Sequence, residues 1–245
     1  MNIFVSESYE VLSKRVADKV IQHLNNADQP LFCPASGDTP AGLYNELVKK
    51  QEQGVINTAN WLFVGLDEWG GMNGDDEGSC RYHLNKQLFN PLGSPEENIC
   101  FFDGKAVDSK VECDRIEEFI TLHKSIDVIV LGLGMNGHVG MNEPGTSPDL
   151  YSHVTLLDTV TQQVGQKYFS SQKTLTNGLT LGIASIMQAK HIILMVNGER
   201  KASIVKKVIE GEITPGVPAS LLRNHPDFCI YMDQPAAEQL IEETD

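Results

Sequence analysis

Hydrophobic positions along this chain fall into two alternating kinds of block. Short runs of mostly apolar, often β-branched or aromatic residues lie at 3–5, 30–34, 61–66, 98–102, 127–133, 191–196 and 228–232. Between them, residues 9–24, 41–52, 110–123 and 200–210 carry apolar side chains at spacings of three and four. The first kind predicts strands, the second amphipathic helices. Their alternation predicts a parallel sheet with helices on both faces. No internal repeat, low-complexity tract or linker breaks the pattern. We therefore expect the 245 residues to form one α/β domain, a doubly wound, mostly parallel, Rossmann-like sheet.

In such a sheet, ligands sit beyond the carboxyl ends of the strands, near the point where strand order reverses. The loops that follow strands are therefore the places to look for chemistry. After the second strand comes Pro34-Ala35-Ser36-Gly37-Asp38-Thr39-Pro40, then a helix starting near Ala41. Small residues, hydroxyls and the positive end of a helix dipole make an anion cradle, with Pro40 suited to the first turn. Asp38 is awkward beside a phosphate, so its carboxylate is expected to point outward. After the third strand, Asp67 and Glu68 leave an apolar strand end, with Trp69 next to them. Buried carboxylates cost free energy unless paired or hydrogen-bonded, so their placement suggests proton abstraction. Spacing does not say which of the two acts.

The third loop is the richest. The apolar run at 127–133 empties into glycines, His138 and Glu143, two groups that can move or steer a proton near neutral pH. Gly132, Gly134 and Gly137 spell G-x-G-x-x-G after a strand, the dinucleotide fingerprint. That fingerprint needs a helix starting at the glycines. Here Asn142, Pro144, Gly145 and Pro148 oppose one, and no dinucleotide is expected.

Charge narrows the partners. With 33 acidic and 19 basic residues the formal net charge is -14, which argues against nucleic acid or an anionic membrane. A small anion remains compatible, because backbone N–H groups and two or three local cations can hold a phosphate on an acidic protein. There is no leader-like start and no apolar run near the ~18 residues of a membrane span, so we expect a cytoplasmic protein. The five cysteines, 33, 80, 100, 113 and 229, lack C-x-x-C spacing and read as free thiols. Cys33, Cys100 and Cys229 lie in apolar runs as small core residues. Cys80 and His83 lack a second ligand pair, and no metal site is expected.

Several motifs in order carry a resemblance. They are the loop at 37–40, Leu66-Asp67-Glu68-Trp69, Gly134-Met135-Asn136-Gly137-His138, Asn142-Glu143-Pro144-Gly145-Thr146, and Asn197-Gly198-Glu199-Arg200-Lys201 after a late strand. Over nearly its whole length the chain resembles the glucosamine-6-phosphate deaminase (isomerase) family, whose doubly wound α/β fold is shared with the 6-phosphogluconolactonases. The resemblance implies that Asp67 takes the C2 proton of the opened sugar, that His138 assists ring opening at O5, and that Glu143 is its carboxylate partner. It implies phosphate binding by Ser36, Gly37, Thr39, Gly137, Lys167 and Lys201, with Glu68 and Trp69 near the substrate. The implied reaction passes through an enediol, releases ammonia and needs no cofactor. The implied ligand is a phosphorylated amino sugar, with the number of subunits left open between monomer and homo-oligomer.

Departures from the family pattern matter. Many members carry Asp where this chain has Asn136, which replaces a relay carboxylate by an amide able to orient His138 through its carbonyl. That leaves Glu143 as the more important partner. An Arg that grips the phosphate is Lys167 here, which keeps the charge and loses the bidentate fork. Residues 147–155 hold no Lys or Arg, so activation by N-acetylglucosamine 6-phosphate, which some relatives show through basic residues there, is not expected. Strong stimulation in an activity assay would contradict this. Trp69, Gly78-Ser79-Cys80 and Thr161-Gln162-Gln163 resemble the galactosamine-6-phosphate branch more than the glucosamine one. A lactonase would continue Gly-His into Thr-Ala-Ser-Leu-Phe, and a sugar-phosphate sensor of operons would carry a helix-turn-helix ahead of the fold. Residues 147–160, small and polar, are where a moving lid is expected.

Overall fold

The computed structural model describes residues 1–25 and 27–240. Among these are ten strands: β1 (Asn2–Ser6), β2 (Leu31–Cys33), β3 (Leu62–Val64), β4 (Asp67–Trp69), β5 (Ile99–Cys100), β6 (Val128–Gly132), β7 (His153–Leu156), β8 (Asn177–Thr180), β9 (His191–Val196) and β10 (Phe228–Asp233). Seven form one sheet in the order β1-β10-β9-β6-β2-β3-β5, and every neighbouring pair in it is parallel. These are the seven runs expected from the sequence. Parallel neighbours need a crossover connection, and four long helices, Tyr9–Leu24, Ala41–Glu52, Ser109–Leu122 and Ala202–Glu210, serve in these crossovers.

The strands bury both faces because their apolar residues alternate between two cores. Leu31 and Cys33 of β2, Ile129 and Leu131 of β6, and Ile192, Leu194 and Val196 of β9 face one side, together with Cys113 and Ile116 of one helix and Val205 and Val208 of another. Phe32, Val128, Val130, Ile193 and Met195 face the other, packed by Leu12, Val16 and Val20 and by Leu43, Tyr44 and Leu47. Fully burying each such side chain is worth about 1.5–3 kcal/mol. The helices start where side chains satisfy their free N–H groups: Ser8 accepts from Val11 N, and Asp108 accepts from Lys110 N and Val111 N. The last helix differs from the expected 200–210, since residues Glu199–Lys201 form a tight 3-10 turn before it.

Three strands were not expected. β4, β8 and β7 form a second, antiparallel sheet that extends the molecule beyond the carboxyl end of β3. Leu181 N donates to Leu66 O across this junction at 2.8 Å. The acidic pair Asp67–Glu68 therefore lies in a strand and not in a loop. In the large sheet the chain runs outward from β2 through β3 to β5, then restarts at β6 and runs the opposite way to β9 and β10. Strand order thus reverses between β2 and β6, and the crevice beyond their carboxyl ends is the natural ligand site. No helix among the described residues is long and apolar enough to cross a membrane.

Candidate active site

A cavity of about 200 Å³ opens at that reversal point, with one wall from residues 35–40 after β2 and another from residues 132–135 after β6. The loop after β2 is shaped for close approach. Gly37 has φ +117°, and the Tyr168 hydroxyl lies 3.0 Å from where a Cβ would stand, so a side chain there would be both strained and crowded. Two helix-end donors expected for an anion are already used: Ala41 N donates to Asp38 O and Gly42 N to the Tyr9 hydroxyl. The loop N–H groups of Gly37, Asp38 and Thr39 make no hydrogen bond within the described residues, so the loop, more than the helix end, is the anion-accepting element. Ser36 and Thr39 line the cavity, and Thr39 Oγ1 donates to Asn197 Oδ1 at 2.6 Å, joining the loops after β2 and β9.

Two cations reach the same end. Lys201 Nζ donates to Leu133 O at 2.5 Å, and burial, with Lys167 nearby, holds its pKa down at about 8. An arriving anion would reverse that penalty. Lys167 is more exposed and pairs with Asp38 Oδ2 at 2.6 Å, so the Asp38 carboxylate does turn outward, and it turns toward a lysine.

Strand geometry sorts the acidic pair. Successive side chains of a strand point to opposite faces, and here Asp67 and Trp69 line the cavity while Glu68 does not. Burial pushes the Asp67 carboxyl up to about 6, with the Cys80 thiol and His138 opposing that rise. Glu68, expected near the substrate, is instead fully buried behind the strand. Its Oε1 accepts from Trp69 N and Cys80 N and its Oε2 from Arg81 N, at 2.8–2.9 Å. It fastens the start of the helix Cys80–Leu84 to β4, and burial pushes its carboxyl up to about 7.

The chain after β6 forms a tight turn and no helix, which removes the structural basis for reading the glycines as a dinucleotide site. Gly134 N bonds to His138 O, and the imidazole packs 2.5 Å from where a Gly134 Cβ would be, so only glycine lets the ring lie against this backbone. His138 lines the cavity. Its Nδ1 faces Thr161 Oγ1 at 3.2 Å and Glu143 Oε2 at 3.4 Å, which leaves Nε2 for the cavity. Burial favours a neutral Glu143, but His138, Thr161 and Asn136 outweigh it and hold its pKa down at about 2. The carboxylate is a fixed negative charge behind the ring.

Asn136 and Gly137 do not reach the cavity. Asn136 Nδ2 donates to Glu143 Oε2 at 2.8 Å and its Oδ1 accepts from His138 N at 3.2 Å, so its carbonyl orients His138 through the backbone and not through the ring. Gly137, expected among the phosphate binders, sits at φ +91° against Val217 and Ile204, and its carbonyl accepts from Ala219 N. It turns the chain so that His138 faces inward. Sequence reasoning missed Cys80 and Thr161 as cavity residues. Cys80 arrives through the Glu68 clamp, and Thr161 from the short helix Thr159–Gly165, whose Val160 and Val164 also border the cavity. This helix begins within the last residues of the segment where a lid was expected.

Comparison with known proteins agrees with this geometry. Residues 6–230 match the family described as glucosamine-6-phosphate isomerases/6-phosphogluconolactonase. The chain is 37% identical to glucosamine-6-phosphate deaminase of Oceanobacillus iheyensis, over 98% of this chain and 96% of that protein. It is 36% identical to glucosamine-6-phosphate deaminase of Listeria welshimeri, over 98% and 100%. A monomeric glucosamine-6-phosphate deaminase superposes with a TM-score of 0.94 at 33% identity, covering 98% of this chain and 100% of that one. A 6-phosphogluconolactonase from Trypanosoma brucei, at 20% identity, TM-score 0.76 and 98% coverage of both chains, shares the fold. Full-length identity, together with a cavity that gathers the anion loop, Asp67 and the His138–Glu143 pair, shows that this chain belongs to the glucosamine-6-phosphate deaminase (isomerase) family.

Proposed function

We propose that this protein converts a 2-amino-2-deoxyhexose 6-phosphate, glucosamine 6-phosphate or its C4 epimer galactosamine 6-phosphate, into the ketose 6-phosphate and ammonia. The observation that carries the reading is that one cavity is lined at once by an anion-accepting loop, a buried carboxylate with a pKa of about 6 and an imidazole backed by a fixed carboxylate. The phosphate would rest on the N–H groups of Gly37, Asp38 and Thr39, with Lys201 and Lys167 supplying charge. His138 would move the proton between O1 and O5 that opens the ring, with Glu143 stabilising the imidazolium and Asn136 holding both in place. Asp67 would then take the C2 proton and return it at C1. The resulting C2 imine is hydrolysed by one water to the ketone, and nitrogen leaves as ammonia. The C1–O5 and C2–N bonds break by proton-assisted steps, with one water added and no net oxidation or reduction, so the chemistry asks for no cofactor.

Trp69, Cys80 and Thr161 all border the cavity, so the residues that resemble the galactosamine branch stand where they can touch substrate. Ammonia release from both epimers by wild type and Asp67→Asn tests the reading. We expect turnover of at least one epimer and a fall of about 10²–10⁴-fold in the variant, the usual contribution of a general base. Silence on both epimers with retained sugar-phosphate binding would favour lactonase or sensor function.

A further inference from the structure

Asn136 spends its carbonyl on His138 N and its amide on Glu143 Oε2, so it leaves the imidazole ring to other partners. Glu143 Oε2 stands 3.4 Å from His138 Nδ1, longer than the roughly 2.7–2.9 Å of a strong charge-assisted bond. That carboxylate is also held from its far side, where Asp158 N donates to Oε1 at 3.1 Å. Thr161 Oγ1 lies closer to the ring, 3.2 Å from Nδ1, and it comes from a different element, the helix Thr159–Gly165.

The Thr161 side chain is buried and turned toward the ring. A threonine in a helix commonly bonds back to a carbonyl of the preceding turn. Here that carbonyl, Leu157 O, accepts from Gln162 Nε2 at 2.9 Å, and the Thr161 hydroxyl faces His138. The turn that carries it is pinned at its start: Leu157 N donates to Thr176 O at 3.0 Å, and Asp158 Oδ1 accepts from Val160 N at 2.8 Å. With the Gly134 backbone against the ring as well, the imidazole is held by two separate elements.

The consequence concerns which nitrogen carries the hydrogen. A carboxylate can only accept, so the hydrogen between Glu143 and the ring belongs to Nδ1, and the Thr161 oxygen beside the same N–H accepts from it too. A free neutral imidazole prefers the opposite form, with the hydrogen on Nε2. Ring opening begins with a proton taken from O1, and only an Nε2 without hydrogen takes it. We infer that Thr161 is a positioning residue for His138, its hydroxyl holding the ring in the Nδ1–H form and tying that form to the helix Thr159–Gly165. The inference deepens the deaminase reading and rests on it for its functional meaning.

Two conservative replacements separate this role from packing. Thr161→Ser keeps the hydroxyl and drops the methyl, whereas Thr161→Val keeps the shape and drops the hydroxyl. The test is nitrogen NMR of the neutral His138 imidazole in the full-length wild type and both variants, with steady-state kinetics beside it. We expect the Nδ1–H form in wild type and the serine variant, and a larger share of the Nε2–H form in the valine variant. The kcat of the valine variant should fall about tenfold and that of the serine variant less than about twofold, a fraction of the roughly 10²–10⁴-fold that general acid–base groups contribute. A valine variant with the wild-type distribution of the two forms, or a serine variant shifted as far as the valine one, would overturn the inference and leave Thr161 as a space-filling wall residue. The NMR measurement needs no turnover. A wild type that releases no ammonia from either epimer, while the two variants still differ in this order, would remove the deaminase reading and leave the link between Thr161 and the ring standing.

Discussion

Asp67 carries a burial cost that fits the proposed role of base. Burial raises its pKa to about 6 from an ordinary 3.8. The proposed role of base requires Asp67 to be ionised, so kcat/KM should climb as pH rises through about 6 and level off above it, which a pH–rate profile reads directly. The same shift acts on stability with a definite sign. A carboxyl whose folded pKa is raised binds its proton more tightly in the folded state, so the protein gains stability as pH falls from about 6 toward 4 and lacks that gain above 6. Asp67→Asn removes the buried charge and should stabilise the fold at pH 8 by on the order of 1–3 kcal/mol while removing activity. Urea midpoints at pH 8 check this, and a variant less stable than wild type would show that the carboxylate is held by bonds stronger than its burial penalty. At this scale the residue types were legible: Asp67, His138, Glu143, Thr39 and Lys201 all converge on the site. The choice between Asp67 and Glu68 was not, because adjacency along the chain does not reveal which face of the strand looks into the cavity.

Elements decide how such residues are held. Glu68 is the clearest case, a carboxylate with no exposure that joins β4 to the helix Cys80–Leu84 through three backbone N–H groups. Replacing it by alanine leaves three buried donors unpaired, each worth about 1–3 kcal/mol. We expect Glu68→Ala to lower the thermal midpoint by several degrees and to raise KM for the sugar phosphate, since Cys80 and Trp69 lose their common anchor; thermal melts and steady-state kinetics measure the two effects. The long helices and the seven parallel strands were readable because their apolar periods extend over enough residues and end at recognisable caps such as Ser8 and Asp108. The small sheet was not. β4 is Asp67-Glu68-Trp69 and β8 opens on Asn177-Gly178, so neither carries an apolar run. In β7 the apolar residues are the outward ones, with Val154 42% and Leu156 80% exposed, so its pattern inverts the usual rule.

Across the whole molecule, the end of the sheet opposite the cavity holds a second set of titrating groups. His23, in the last turn of its helix, stacks on His191 at the start of β9 with ring centroids 3.5 Å apart, and His191 Nδ1 meets Asp227 Oδ2 at 2.6 Å. Burial first, then the charge of His191, holds the His23 pKa down at about 4. A lowered histidine pKa favours the neutral ring in the folded state, so its contribution is present above about 6.5 and is lost as pH falls from there toward 4. This runs against the gain from Asp67 over an overlapping range, so wild type alone does not separate them. The loss of stability between pH 7 and pH 5 should be smaller in His23→Gln than in wild type, measured by urea unfolding at both values. Equal losses would show that the stacked pair adapts to a second proton.

The amino-acid sequence by itself determined the alternation of strands and helices, the parallel character of the large sheet, and the kinds of chemical group available at strand ends. These are properties of local period and of residue type, and they need no partner elsewhere in the chain. Tertiary structure alone decided that strand order reverses between β2 and β6, that a second sheet turns Asp67 inward and Glu68 away, and that the free donors for an anion are those of the loop at 37–39. It also brought Cys80 and Thr161 to the cavity, residues that the sequence marked only by resemblance and did not place. The reason is physical: each of these features is a pairing between residues far apart along the chain, and such pairings are selected by the packing of the whole molecule.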